Sequence, residues 1–179
     1  MRMEILCGLC HIKRGENEQM VKIRKNTNGD TRVADHVPTI NEFDMANVAH
    51  VEDVKNLVNE FCSIFKLKSS DHDWTKRRDP YRSMFYRDLC ATLEGRLPDF
   101  MEGEWAKQHY YENERHHLAV YAPDDVDMFD VIEMICDCVA AGMARSGNVY
   151  EVKIPGDVLQ RAVKNTVEIL SGVIEVVED

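Results

Sequence analysis

Histidine and aspartate side chains lie at positions in the sequence where several of them could bind one cation. His72 and Asp73 are adjacent, so a single turn supplies an imidazole and a carboxylate, which suit a divalent ion. Asp137 stands among apolar residues, where a carboxylate is costly unless a cation or a hydrogen-bond network compensates it. Glu133 comes one helical turn before Asp137 and could accept a hydrogen bond from a ligand histidine. The candidate metal ligands are His50, His72, Asp73, His109, His116, His117 and Asp137.

Three of these histidines have a spacing that could bring two imidazoles to one point. His109 and His116 are seven residues apart, so they share a face of a continuous helix. On such a helix His117 is rotated by about 100° from His116. We therefore expect a third helix that begins near Pro98 and continues to about His117.

Apolar residues that recur every three or four positions predict the helices that position these side chains. We expect an all-α protein with a single helical domain at residues 41–179 and an irregular or β-containing arm at residues 1–40. Asp44 or Asn41 would cap the first helix. The expected helices cover residues 44–66, 80–95, 98–117, 128–146 and a last segment with Leu159, Val163, Val167 and Leu170 on one face.

Length, charge and cysteine content narrow the class of protein. The 179 residues suffice for one sizeable core, and the formal net charge of −10 argues against nucleic acid as the main partner. No apolar run is long enough for a membrane span and no secretory signal is evident, so we expect a cytoplasmic protein without a membrane partner. Cys7 and Cys10, before His11, match a haem-attachment pattern that nothing else supports. The other cysteines fall in apolar helical patterns, which predicts reduced core residues: Cys62, Cys90, Cys136 and Cys138.

The order of the candidate ligands resembles the HD superfamily of metal-dependent phosphohydrolases. The signature of that family is a single histidine, an HD dipeptide and a distal aspartate on successive helices, and this chain has His50, His72-Asp73 and Asp137. Two-metal members carry further histidines between the HD pair and the distal aspartate, as this chain does. Residues 109–117 and 131–137 are also similar to a poorly characterised group of small HD-type proteins from phage and bacterial genomes. The resemblance covers residues 44–146.

The resemblance implies one or two divalent ions. It assigns His50, His72, Asp73 and Asp137 to a first ion, and His109, His116 and His117 to a second. Asp73 could bridge the two. Lys76, three residues later, resembles the HDxxK arrangement of cyclic-dinucleotide phosphodiesterases, in which the lysine contacts phosphate. In those enzymes the intermediate histidine and the HH pair lie far apart, whereas six residues separate His109 from His116 here.

These features predict an enzyme, a metal-dependent phosphohydrolase that acts on a nucleotide or another small phosphate ester. The cofactor would be Mn, Fe, Zn, Co, Ni or Mg. Asp73 and Lys76 are the expected catalytic residues, and Asp73 or Asp137 would accept a proton from water. Lys76 and Arg82 would contact the substrate, because cations stabilise the charge that develops on phosphoryl oxygens.

Other interpretations stay open at this point. The chain could be a cyclic nucleotide or dinucleotide phosphodiesterase, or a non-catalytic module that binds metal or nucleotide. Asp137 could be a core carboxylate paired with Arg82 or Arg87, and the cations at residues 76–78 could form a solvated face. The sequence also leaves open whether the protein forms a homo-oligomer.

Overall fold

The structure is a computed structural model that describes residues 20–178. Within these residues it has five α-helices and one two-stranded sheet, so the prediction of an all-α fold with a β-containing N-terminal arm is confirmed. The helices are α1 (Ile40–Ser69), α2 (Tyr81–Leu93), α3 (Glu104–Lys107), α4 (Met128–Ser146) and α5 (Gly156–Ser171), and the strands are β1 (Val21–Arg24) and β2 (Ile174–Val177). None of these helices is both long and apolar enough to cross a membrane. Cys7, Cys10 and His11 lie outside the described residues.

Backbone contacts divide the described residues into two compact units, residues 20–66 with 167–178, and residues 67–166. In the first unit, β1 and β2 pair in parallel, with Val21 opposite Ile174. A strand of the predicted arm is therefore paired with a strand from the other end of the described chain. The predicted boundary between the arm and the helical domain, at residue 40, stays a prediction.

A capping box makes α1 begin earlier than the apolar pattern predicts. Glu42 Oε2 accepts hydrogen bonds from the Thr39 backbone nitrogen at 2.7 Å and from the Thr39 hydroxyl at 2.8 Å. Thr39 Oγ1 in turn accepts from the Glu42 nitrogen at 3.3 Å, which completes the box. The helix therefore begins at Ile40 rather than near Asp44.

Two of the cysteines that were predicted to lie in the core are exposed. Cys62 on α1 and Cys136 on α4 are exposed, and the prediction is wrong for both. Each lies two positions from a buried residue, Ile64 or Met134, which is about 200° around a helix. The other two of this set are partly buried, and all four are free thiols.

The apolar core of the second unit draws on α4 and α5. Its buried cluster consists of Leu118, Val126, Val131, Met134, Val158 and Ala162. The buried residues of α5 are Val158, Ala162 and Thr166, which are four apart and form one stripe. Leu159 and Val163, which were predicted to share one face of this helix, are four residues apart and are 42% and 49% exposed. The face that meets the cluster lies one position away, at Val158 and Ala162.

A carboxylate from α2 positions α3. Asp88, which is buried, accepts a hydrogen bond from the Trp105 backbone nitrogen at 2.8 Å and so caps the first turn of α3. Glycine at position 103 allows this close approach, because a Cβ there would lie 2.7 Å from Asp88 Oδ2 and 3.1 Å from the Phe100 carbonyl oxygen. The Trp105 ring packs on Phe85 and stacks on His109, with ring centroids 4.4 and 4.2 Å away. These contacts fix the position of His109.

The helix that carries His109 changes to a π-helical turn and ends before His116 and His117. α3 continues as a π-helical turn at Gln108–Asn113, a feature that is frequent at functional sites. Glu114 then has an extended backbone, so the helix does not continue, and its carboxylate accepts hydrogen bonds from Thr75. The prediction of a continuous helix to His117 is therefore wrong, and the shared-face argument does not apply.

Candidate metal centre

Six of the seven predicted ligands lie close together in the second unit. They form three overlapping groups of three side chains, and within each group the ligand atoms lie within 4.8 Å of one another. The groups are His72, Asp73 and His116, then Asp73, His109 and His117, then His116, His117 and Asp137. Because Asp73 belongs to two groups, its carboxylate could be shared by two cations.

His50 belongs to none of these groups, which were sought among the described residues. It is exposed on α1 and belongs to the first unit. Its role as a metal ligand, which the resemblance implies, therefore stays a prediction.

Asp73 lies at the start of a short 3-10 turn with a left-handed backbone, φ 54° and ψ 34°. Aspartate adopts this conformation more readily than most residues. Its Oδ1 lies 3.5 Å from His109 Nε2 and 3.8 Å from His116 Nε2. Its Oδ2 lies 3.4 Å from His72 Nε2 and forms an ion pair with Lys76. Three imidazoles and one ammonium group therefore surround a single carboxylate.

Glu133 on α4 contacts two of these imidazoles through one oxygen. Its Oε1 lies 2.8 Å from His72 Nδ1 and 3.2 Å from His116 Nδ1. Since a carboxylate accepts hydrogens, both rings turn Nδ1–H to Glu133 and leave Nε2 on the side of Asp73. Burial raises the pKa of Glu133, but hydrogen bonds from the two histidines bring it down to about 2. This geometry fits the expected role of Glu133 as an acceptor for ligand histidines.

Two buried polar atoms at the centre have no hydrogen-bond partner among the described residues, Asp73 Oδ1 and His116 Nε2. They face each other at 3.8 Å, and the His116 side chain is 1% exposed. A buried polar atom without a partner costs about 1–3 kcal/mol. A carboxylate oxygen has lone pairs, and so does Nε2 of a neutral imidazole whose hydrogen is on Nδ1, so a cation between the two atoms would satisfy both. The residues present therefore fit a bound divalent ion.

His109 and His117 approach each other with their Nε2 atoms 2.8 Å apart. Burial lowers the pKa of His109 to about 3 and that of His117 to about 2, so both rings are neutral near pH 7. Neutral imidazole is the form that binds metal ions. With Asp73, these two rings supply the second group of potential ligands.

Asp137 lies at the edge of the cluster rather than in the apolar core. Its Oδ1 is 3.7 Å from His72 Nε2, and its side chain is 26% exposed. Its neighbours Ile135 and Val139 are themselves exposed, because the buried face of α4 consists of other residues. The expectation of a carboxylate surrounded by apolar residues is therefore wrong. Arg87, one of the alternative partners, pairs with other carboxylates.

Three residues that hold the cluster were not singled out from the sequence: Thr75, Glu114 and Arg115. Arg115 contacts Asp125 at 3.0 Å and Asp130 at 2.8 Å, and so anchors the segment that carries His116 and His117. The only sequence signal for the three is their position, since each lies within two residues of a predicted ligand.

Lys76 and Arg82, the predicted substrate contacts, line one cavity of about 320 Å³. The other lining side chains all come from α2: Ser83, Phe85, Tyr86 and Leu89. Because Lys76 also forms the ion pair with Asp73, it connects the cavity to the cluster.

We expect the metal-free protein to lose stability as the pH falls from about 6.5 to about 5. Unfolded histidines take up protons near pH 6.5, whereas folded His109 and His117 stay neutral until about pH 3 and 2. The unfolded state therefore binds more protons, and each such group lowers the free energy of unfolding by about 1.4 kcal/mol per pH unit. Hydrogen bonds with Asp73 and Glu133 raise the pKa of His72 to about 10, so its contribution is lost only as the pH rises above this window. Urea unfolding at the two pH values measures the change.

The variant His109→Gln removes one of the two titrating rings and serves as the control. Its stability should fall less steeply with pH than that of the wild-type protein, by about 1.4 kcal/mol per pH unit. Equal slopes for the two proteins would contradict a buried, neutral His109.

Comparison with known proteins identifies a family for the chain. No curated protein and no solved structure gives a significant match to the chain. A family model described as "Family of unknown function (DUF5662)" matches residues 39–174, a range that contains all six clustered side chains. Since the match covers most of the chain, the chain belongs to this family of unknown function, DUF5662.

Proposed function

We propose that the protein is a metal-dependent phosphohydrolase that acts on a nucleotide or another small phosphate ester. The observation that carries the proposal is the pair of buried polar atoms, Asp73 Oδ1 and His116 Nε2, that lie 3.8 Å apart without a hydrogen-bond partner among the described residues. Four further imidazole or carboxylate groups lie around this pair. The two unpartnered atoms are costly to bury unless a cation balances them.

The proposed ligands follow the three groups. His72, Asp73 and His116 would hold one ion, Asp73, His109 and His117 would hold another, and Asp137 lies near His116 and His117. A set rich in imidazole suits Mn, Fe, Co, Ni or Zn better than Mg, which prefers oxygen ligands. When bound, a divalent ion supplies a Lewis acid for water and for a phosphoryl oxygen.

The residues of the chain have separate parts in this proposal. Burial raises the pKa of Asp73, but its contacts with His72 and Lys76 lower it below the usual range, so the carboxylate stays ionised. Glu133 orients two ligand rings. Lys76 and Arg82 place positive charge on the wall of the adjacent cavity, where it would neutralise a phosphate group. The apolar and aromatic side chains of that cavity, Phe85, Tyr86 and Leu89, would contact the organic part of the ester.

A cyclic nucleotide or dinucleotide phosphodiesterase is a second candidate. The observation in its favour is that Asp73 belongs to two ligand groups, an arrangement suited to two ions. A module that binds metal without turnover is the third.

Elemental analysis followed by phosphate-release assays on mono-, tri- and cyclic nucleotides tests the proposal. We expect at least one divalent ion per chain and phosphate release that a chelator abolishes and added metal restores. Opening of cyclic substrates without phosphate release would favour the phosphodiesterase, and metal binding without any turnover would favour the binding module. Failure of Mn, Fe, Co, Ni and Zn ions to bind would contradict all three.

A further inference from the structure

Thr75 and Glu114 form a buried hydrogen-bond chain that ends on His109. Thr75 and His109 are fully buried, and Glu114 is 7% exposed. Glu114 Oε1 accepts hydrogen bonds from the Thr75 backbone nitrogen at 2.9 Å and from the Thr75 hydroxyl at 2.7 Å. The Thr75 hydroxyl oxygen also lies 2.7 Å from His109 Nδ1.

The chemistry of these groups fixes the direction of each hydrogen bond. The Thr75 hydroxyl has a single hydrogen, and it donates this hydrogen to Glu114 Oε1, the oxygen that also accepts from the Thr75 backbone nitrogen. The hydroxyl oxygen can then only accept from His109, which requires a hydrogen on Nδ1. A neutral imidazole carries one N–H, so Nε2 of His109 keeps its lone pair. That nitrogen lies 3.5 Å from Asp73 Oδ1 and 2.8 Å from His117 Nε2.

We propose that Thr75 and Glu114 are positioning residues that hold His109 in the Nδ1–H tautomer and so present Nε2 as a metal ligand. The ligand role rests on the proposed function, whereas the tautomer is a property of the metal-free protein. Stacking of the Trp105 ring on His109, with an interplanar angle of 20°, holds the plane of the imidazole in the same orientation.

The hydrogen-bond chain of Thr75 and Glu114 has the same role for His109 as Glu133 has for the histidines on the other side of Asp73. Glu133 on α4 orients His72 and His116, and the Thr75–Glu114 chain orients His109. The two ligand groups that share Asp73 are therefore oriented by two different carboxylates. Loss of one of these carboxylates should weaken metal binding first at the ligand group that it orients.

Long-range proton–nitrogen NMR of the histidine rings in the metal-free protein tests the tautomer directly. We expect the wild-type protein to show His109 protonated at Nδ1 and unprotonated at Nε2. Thr75→Val keeps the side-chain shape and removes the hydroxyl, so His109 should shift toward the Nε2–H tautomer. Thr75→Ser restores the hydroxyl and should restore the wild-type pattern. Binding of Co²⁺ alone should be about 10–100-fold weaker in Thr75→Val and recover in Thr75→Ser.

Thr166→Val is the matched control, because Thr166 is also a buried threonine whose hydroxyl is hydrogen-bonded at both ends, to the Met128 nitrogen and the Ala162 carbonyl. It should lower stability but leave the His109 tautomer and the Co²⁺ affinity unchanged. An Nε2–H tautomer of His109 in the wild-type protein would overturn the inference even if no variant folds. Absence of Co²⁺ binding together with the Nδ1–H tautomer would count against the proposed function instead.

Discussion

Asp73→Asn should lower the rate of phosphate release at least about 1000-fold and reduce the metal content of the purified protein. Asp73 is the residue whose two oxygens face His72 on one side and His109 and His116 on the other. Asparagine offers one oxygen and no charge, and a loss of about 4 kcal/mol of electrostatic stabilisation corresponds to that factor in rate. Asparagine is preferable to alanine because the backbone φ of 54° is one that asparagine tolerates. Initial rates and elemental analysis measure both effects.

Asp71→Asn provides the matched control two residues earlier. The Asp71 carboxylate is exposed and pairs with the exposed Arg78 at 2.8 Å, so the substitution removes the same charge outside the cluster. An exposed pair contributes about 0–1 kcal/mol, and we expect neither the metal content nor the rate to change. Undiminished phosphate release by Asp73→Asn would rule out the proposed mechanism.

Glu133→Ala should weaken metal binding about 10–100-fold, because His72 and His116 lose the acceptor that orients them. It should also lower the free energy of unfolding of the metal-free protein by about 1–3 kcal/mol, because the Nδ1–H of His116, a residue that is 1% exposed, is left without an acceptor. Titration calorimetry with Co²⁺ and urea unfolding measure the two effects separately.

Comparison with Glu133→Gln separates orientation from charge. The glutamine carbonyl can still accept hydrogen bonds from the two rings, so most of the stability should return while part of the metal affinity stays lost. Glu94→Ala, which removes an exposed carboxylate paired with Arg96, should change neither quantity. If Glu133→Ala binds Co²⁺ as tightly as the wild-type protein, Glu133 does not orient metal ligands.

The types of the clustered residues could be predicted from the sequence, but their grouping could not. Adjacent His72 and Asp73 indicate a site because two ligand types from one turn are informative by themselves. The sequence pattern grouped His116 with His109, whereas in the structure it shares Glu133 and Asp73 with His72. That grouping depends on where the helix ends, at Asn113. The end is set by the hydrogen bonds between Glu114 and Thr75, two residues that are far apart in sequence.

Faces of helices were harder to predict than the helices themselves. Periodicity places α5 correctly, but it did not identify the buried face: the apolar stripe with Leu159 and Val163 is exposed, and Ala162 is buried one position away. A stripe that is one position out is rotated by about 100°, and several adjacent positions of α5 carry apolar residues. Pairing of β1 with β2 has no local signal either, since a parallel pair is set by residues that are distant in the chain.

The π-helical turn has a consequence for how relatives of this chain should be aligned. A turn closed by hydrogen bonds five residues apart holds one residue more than the corresponding α-helical turn. The helix ends at Asn113, so a relative that lacks this extra residue would present a different side chain where His109 stands. A gap placed within residues 108–113, rather than in the neighbouring loop, would therefore distinguish family members that have the imidazole from those that do not.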